Sequence, residues 1–200
     1  MKKTSHFAEV IESCLDHYTA QNWQWNQFPS FGSLVQVDDK SKNIVGIVTH
    51  IKTGSSDPMR TPFAYQKTED ELMAEQPQIF EFLKTTFTVQ IVGYLDKALD
   101  SKIYYVLPPT PCKIHAFVAP ADEQLRKDFF SKTDYLHLLF AFGVNIPSLD
   151  ELLLAIIKQQ ATTHLFSSAD VDNLCSTFSL LTGNDYRRLK LFLKRVQTLL

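Results

Sequence analysis

Between Phe31 and Phe117 the chain is written almost entirely in short β-prone runs, polar turns and prolines. Leu34, Val35 and Val37 are followed by the polar stretch Asp38 to Lys42, then by Ile44, Val45, Ile47, Val48 and Ile51. β-Branched runs on either side of such a polar break predict a hairpin. Gly46 inside the second run predicts a bulge or a sharp bend. Further strands are expected over Thr86 to Leu95, Lys102 to Leu107 and Ile114 to Ala119, with Pro108, Pro109 and Pro111 interrupting pairing between the last two. Strands this short cannot bury themselves singly. Closing them into a small barrel removes the exposed edges.

The flanks read differently. Over residues 4–20, Phe7, Val10, Ile11, Leu15 and Tyr18 share one helical face, with Glu9, Glu12 and Asp16 largely elsewhere, which predicts an N-terminal helix. Gln21 to Ser30 is read as a connector whose Trp23 and Trp25 strap the barrel. Thr53 to Pro62 and Asp96 to Ser101 are expected as exposed, mobile loops, and Pro77 to about Lys84 as a short helix. Beyond Pro120 the pattern becomes helical. Candidates run over Ala121 to Phe130 and Asp134 to Phe142. A third follows Ser148 and Glu151, which are spaced as a capping box. A fourth follows Ser168, and a last one begins after Gly183, capped by Asn184 or Asp185. The reading is an α+β fold: a mainly antiparallel six-stranded barrel with an N-terminal helix and an α-helical C-terminal region. The divisions are 1–27, 28–120 and 121–200.

Composition narrows the jobs available. Fifteen phenylalanines suit a small interior filled by side chains. A net charge of -2 gives no overall attraction to nucleic acid or an anionic membrane, so such contact needs a local patch. Cys14, Cys112 and Cys175 are odd in number and lack ligand spacing, as expected of reduced thiols in a cytoplasmic protein. No secretory signal is read in the first residues, and the longest apolar runs are too short to span a membrane.

Catalytic chemistry is not expected. A phosphate-wrapping loop needs closely spaced glycines, and the six here stand at 32, 46, 54, 93, 143 and 183. His6, His17, His50, His115, His137 and His164 form no metal-ligand pair, and no serine sits in a nucleophile elbow. Lys113 beside Cys112 is placed to lower a thiol pKa, but entry to a strand favours a structural thiol. Glu69-Asp70-Glu71 reads as solvated acid rather than an acid/base pair. No cofactor and no metal is expected. The feature above background is the last helix, where Arg187, Arg188, Lys190, Lys194 and Arg195 form a candidate contact for a protein partner or nucleic acid. A solvated helix face is the plainer reading of the same residues.

In this order, the segments resemble the HAS-barrel shared by HerA-type DNA translocases and rotary ATP synthase subunits. Phe31-Gly32-Ser33-Leu34-Val35-Gln36-Val37 with Val45-Gly46-Ile47-Val48 resembles its opening hairpin. Glu75-Gln76-Pro77 with Phe87 to Tyr94 resembles its middle, and Leu107 to Pro111 before Ile114 to Val118 its closing strands. The resemblance spans roughly residues 28–120. It implies ring assembly and docking of partners such as a ring ATPase or a nuclease. It does not bring the motor activity, because no phosphate loop accompanies the barrel. The expectation is a cytoplasmic, non-catalytic assembly module, with no membrane partner and with a homo-oligomer open. The alternative is a nucleic-acid-binding protein that uses the basic helix, or Tyr104 and Tyr105 as stacking residues.

Overall fold

A computed structural model describes residues 6–39, 41–59, 61–97, 102–142, 146–163, 167–183 and 185–199. Met1 to Lys3, Lys40, Arg60, the 98–101 part of the expected second loop, Gly143, His164 and the alternative cap Asn184 lie outside the described residues.

Six antiparallel strands close into a barrel. They are β1 (Ala8–Ser13), β2 (His17–Asn22), β3 (Leu34–Asp38), β4 (Lys42–Ser55), β5 (Leu83–Asp96) and β7 (Phe117–Pro120). β7 pairs with both β1 and β3, β3 with β4, β4 with β5, and β5 with β2, whose other neighbour is β1. Among the described residues the two-residue strand β6 (Ile103–Tyr104) pairs with the outer end of β5, through Tyr94↔Tyr104 and Leu95↔Ile103.

In place of the N-terminal helix expected over 4–20, the described part of that stretch, which begins at residue 6, forms the β1–β2 hairpin. Its apolar positions fit two periods, and the barrel selects the shorter one. Ala8 and Val10 of β1, and Tyr18 and Ala20 of β2, point inward and are fully buried, as period-2 alternation requires. Ile11 and Leu15, needed for the helical face, are instead exposed. The two strands supply barrel positions that nothing else in the chain fills. Lys102 to Leu107 contributes only β6, outside the ring, and the strand expected at Ile114 starts at Phe117. The segment after Pro77 forms a 3-10 turn, Pro77–Phe82, rather than an α-helix.

The wall around β3, β4 and β5 is buried on both sides. Val35, Val37, Ile44, Val48, Val89 and Ile91 face the interior. Leu34, Val45, Ile47 and Val92 face outward, into a second cluster built with the C-terminal helices. Doubled apolar residues such as Leu34-Val35, Ile47-Val48 and Ile91-Val92 are the sequence mark of a strand covered on both faces.

The covering helices are α2 (Glu123–Phe130), α3 (Tyr135–Ala141), α4 (Leu149–Thr162), α5 (Ser168–Leu181) and α6 (Tyr186–Val196), while α1 (Glu69–Glu75) belongs to the β4–β5 connection. Ser148 accepts from the Glu151 N–H, and Ser167 with Asp170 forms a capping box one residue before the expected cap Ser168. Gly183 takes φ +67° after α5, and Asp185 caps α6 through the Arg187 and Arg188 N–H groups. Most of the large aromatic mass lies in this layer. Phe178 stacks on Phe192 at 4.4 Å, and Phe129 packs with Phe130 and Tyr135. Inside the barrel Phe87 is the buried phenylalanine, with Phe7 stacked against it.

Gly46 sits at a register shift between β4 and β5, as its position in the strand predicts. A Cβ there would stand 2.4 Å from Val89 Cγ1 and 2.8 Å from the Gln90 carbonyl oxygen. Gly46→Ala is expected to lower stability by about 1–3 kcal/mol through overpacking, read as a lower denaturant midpoint at unchanged slope.

Cys112 is buried beside the barrel core. Burial pushes its thiol up to about 12, outweighing the downward pull of Lys42. The expected helper, Lys113, is engaged with Asp39 Oδ1 at 2.7 Å. The folded thiol stays protonated where the unfolded one, near 9, ionises, so its contribution is intact below about pH 9 and is lost as pH rises toward 12. Urea unfolding across pH 8 to 10.5 should show stability falling, with the share owed to Cys112 setting in near pH 9 and steepening toward about 1.4 kcal/mol per pH unit above it. Cys112→Ala should remove that share of the slope.

Candidate interaction surfaces

β4 and β5 are 14 residues each and outrun their neighbours. β3 meets β4 no farther than Ile47, and β2 meets β5 no farther than Thr86, yet β4 and β5 stay paired to Ser55↔Leu83. The surplus is a two-stranded arm projecting from the barrel. Its base is clamped by the tryptophan connector: Trp25 stacks on Phe80 with centroids 5.5 Å apart, and its carbonyl accepts from the Thr85 hydroxyl. Trp23 lies edge-on to Phe117 at 5.4 Å, so the expected strap joins arm and barrel wall.

The tip is held by local polar geometry. Asp57 Oδ1 accepts from the Met59 N–H at 2.9 Å, and the Ser56 N–H donates to the Phe82 carbonyl at 2.6 Å. Thr68 and Glu71 form a capping box on α1, and those hydrogen bonds hold the Glu71 carboxyl below its ordinary pKa. Between tip, α1 and the 3-10 turn runs a groove of about 920 Å³. Met59, Phe63, Tyr65, Leu72, Ile79 and Phe82 are among its lining. Met59 is 92% exposed and Phe63 80% exposed, unusual for residues of this size on one small projection. Glu69, Asp70, Glu71, Glu75 and Glu81 stand exposed along the same segment. This surface escaped the sequence reading, which took 53–62 as a plain loop. The available signal was Met59, Phe63 and Tyr65 clustered where a solvated loop needs no bulk.

The five cations of α6 do not act together. The Arg188 guanidinium grips Asp150 at the start of α4 through Nε at 3.2 Å and through Nη2, and lies 5.4 Å from the Phe178 ring centroid. Arg195 Nη1 reaches Glu151 Oε1 at 2.6 Å. These pairs raise both guanidinium pKa values and hold the Glu151 carboxyl below its usual range. Arg187, Lys190 and Lys194 remain exposed and form no ion pair among the described residues. The proposed stacking residues are partly committed too. Tyr104 stacks on Tyr94 at 5.4 Å, and the Tyr105 hydroxyl donates to the Phe129 carbonyl at 2.7 Å.

Among the described residues no group of three or more His, Cys, Asp or Glu could hold a metal ion. No described helix is long and apolar enough to cross a membrane.

Residues 25–97 match the family model described as the HAS barrel domain. The match takes in β3, β4, the arm and β5, whereas β1, β2 and β7, which close the ring, lie outside it. No curated protein matches the chain.

Arg188→Ala should cost about 1 kcal/mol by breaking a bidentate pair and a ring contact, whereas Arg187→Ala should stay within about 0.5 kcal/mol. Thermal melts of the two variants check the division of labour within the basic cluster.

Proposed function

We propose that this HAS-barrel chain is a non-catalytic docking and assembly module, accessory to a HerA-type DNA-processing machine or another ring ATPase. The observation that carries this reading is the arm. A rigid barrel holds out a two-stranded ribbon whose tip exposes large apolar side chains around a groove. Exposed bulk of this kind costs solubility and is favoured where a protein surface covers it. Met59 and Phe63 are the anchors, because each has most of its surface to bury on docking. The partner is another protein, with a ring ATPase or a nuclease as the class that the barrel's family suggests.

A second reading rests on a separate observation. Arg187, Lys190 and Lys194 are exposed cations without an ion pair among the described residues, and this trio forms the nucleic-acid contact in that reading. Arg188 and Arg195 are left out, because each is tied to α4.

Affinity capture from the native host, with identification by mass spectrometry, separates the readings. The intact chain should recover a ring ATPase or nuclease, and Met59→Ser/Phe63→Ser should lose it while melting at the same temperature. Recovery unaffected by the arm variant defeats the docking reading. Nucleic-acid binding that weakens steeply with salt and disappears in Arg187→Ala/Lys190→Ala/Lys194→Ala would put the second reading in its place.

A further inference from the structure

Resting on the arm as a docking and assembly surface, we infer that α6 of a second copy of this chain occupies it, so that the arm variant loses the ATPase or nuclease by dissolving the assembly that recruits it. The groove's floor is apolar, and the segment from 61 to 83 exposes Glu69, Asp70, Glu71, Glu75 and Glu81 against one base, Lys67, which is already paired with Glu75. The fitting ligand is a helix that shows apolar and basic side chains on the same stripe.

α6 is such a helix. Its inner face is used within the chain: Phe192 and Val196 are buried, while Arg188 and Arg195 reach back to Asp150 and Glu151. Its outer face carries Arg187, Lys190, Leu191 and Lys194 at i, i+3, i+4 and i+7, with Tyr186 beginning the same stripe. Tyr186 is 73% exposed and Leu191 61% exposed, so the stripe offers two apolar knobs among three cations. Each asks for what the other has. Tyr186 and Leu191 need cover that the groove of Met59, Phe63 and Leu72 supplies, and the cations need the arm's carboxylates. Other helices offer no such face; α2 and α5, for example, bring Glu123 and Asp128, or Asp170 and Asp172.

Arm and α6 are different surfaces of one chain, so the contact is heterologous. Repeated from copy to copy it builds a closed ring if the rotation closes, and an open filament if it does not. Part of the attraction is between exposed charges, so it is screened as salt shortens the Debye length from about 10 Å at 0.1 M to about 3 Å at 1 M.

Two charge-reversed chains test this. One carries Glu69→Lys/Asp70→Lys/Glu81→Lys on the arm, the other Arg187→Glu/Lys190→Glu/Lys194→Glu on α6. Sedimentation velocity of the intact chain at low salt should show species heavier than the 22.9 kDa monomer, receding as salt rises. Each variant alone should associate at least about tenfold more weakly, since like charges then meet. An equimolar mixture should recover association, because each variant's arm then opposes an α6 of opposite sign. A monomeric wild-type chain, variants that associate as the wild type does, or a mixture that stays monomeric overturns the inference. Should reversal of α6 unfold the chain, Arg187→Gln/Lys190→Gln/Lys194→Gln takes its place, with intermediate weakening expected and undiminished association counting against. Failure here beside arm-dependent capture of a different protein removes only the second copy as occupant. Failure of both removes the docking reading as well.

Discussion

Closure of the sheet is the constraint on which the rest depends. β7, β3, β4 and β5 alone would form an open ribbon with two raw edges. The β1–β2 hairpin lies between those edges, β1 pairing with β7 and β2 with β5, and turns the ribbon into a ring. Every strand in the ring then has two neighbours, and the interior can be filled from all sides by small and branched residues such as Ala8, Val10, Ala20, Val37 and Val89. Tyr18, fully buried in that interior, shows how much the hairpin contributes to the core it closes.

Closure also explains the arm. Two strands cannot hold an independent hairpin firmly in water, but a hairpin whose lower half is built into a barrel inherits its rigidity. The stack of Trp25 on Phe80 extends that support past the rim. On the other side, the helical layer fixes the outer wall through Leu34, Val45, Ile47 and Val92. It also sets α6 with its inner cations paired and its outer cations free for solvent or a partner. The acidic arm and basic helix thus lie on separate elements of a near-neutral chain, and the net charge of -2 conceals both.

Much of this was legible in the residues. The hairpin around Asp38 to Lys42, the bulge at Gly46 and the stops at Gly183 and Asp185 follow from local chemistry that tertiary structure did not override. The N-terminal hairpin was hidden because Phe7, Val10, Ile11, Leu15 and Tyr18 satisfy a helical period. The deciding fact, a gap in a ring of strands, is non-local. β6 ends after Tyr104, where the Tyr105 ring packs on Phe129 and its hydroxyl donates to the Phe129 carbonyl, a tertiary contact that the local sequence does not announce. At the candidate site, the sequence marked the cations of α6 but could not divide them, because Asp150 and Glu151 reach Arg188 and Arg195 only after α4 and α6 pack. The apolar arm tip was missed for a related reason. A strand pair long enough to overrun its barrel is seen only when the lengths of its neighbours are known.

Native-state hydrogen exchange on the intact chain tests the closed ring most directly. Amides of Val10, Tyr18 and Ala20 should exchange as slowly as those of Ile44 and Val89, through the same global opening, while residues 56–59 and 61–66 at the arm tip exchange quickly. Rapid exchange across 8–22 beside slow exchange in β3, β4 and β5 would mean an open sheet with a loose N-terminal segment, and the account built on closure would be wrong.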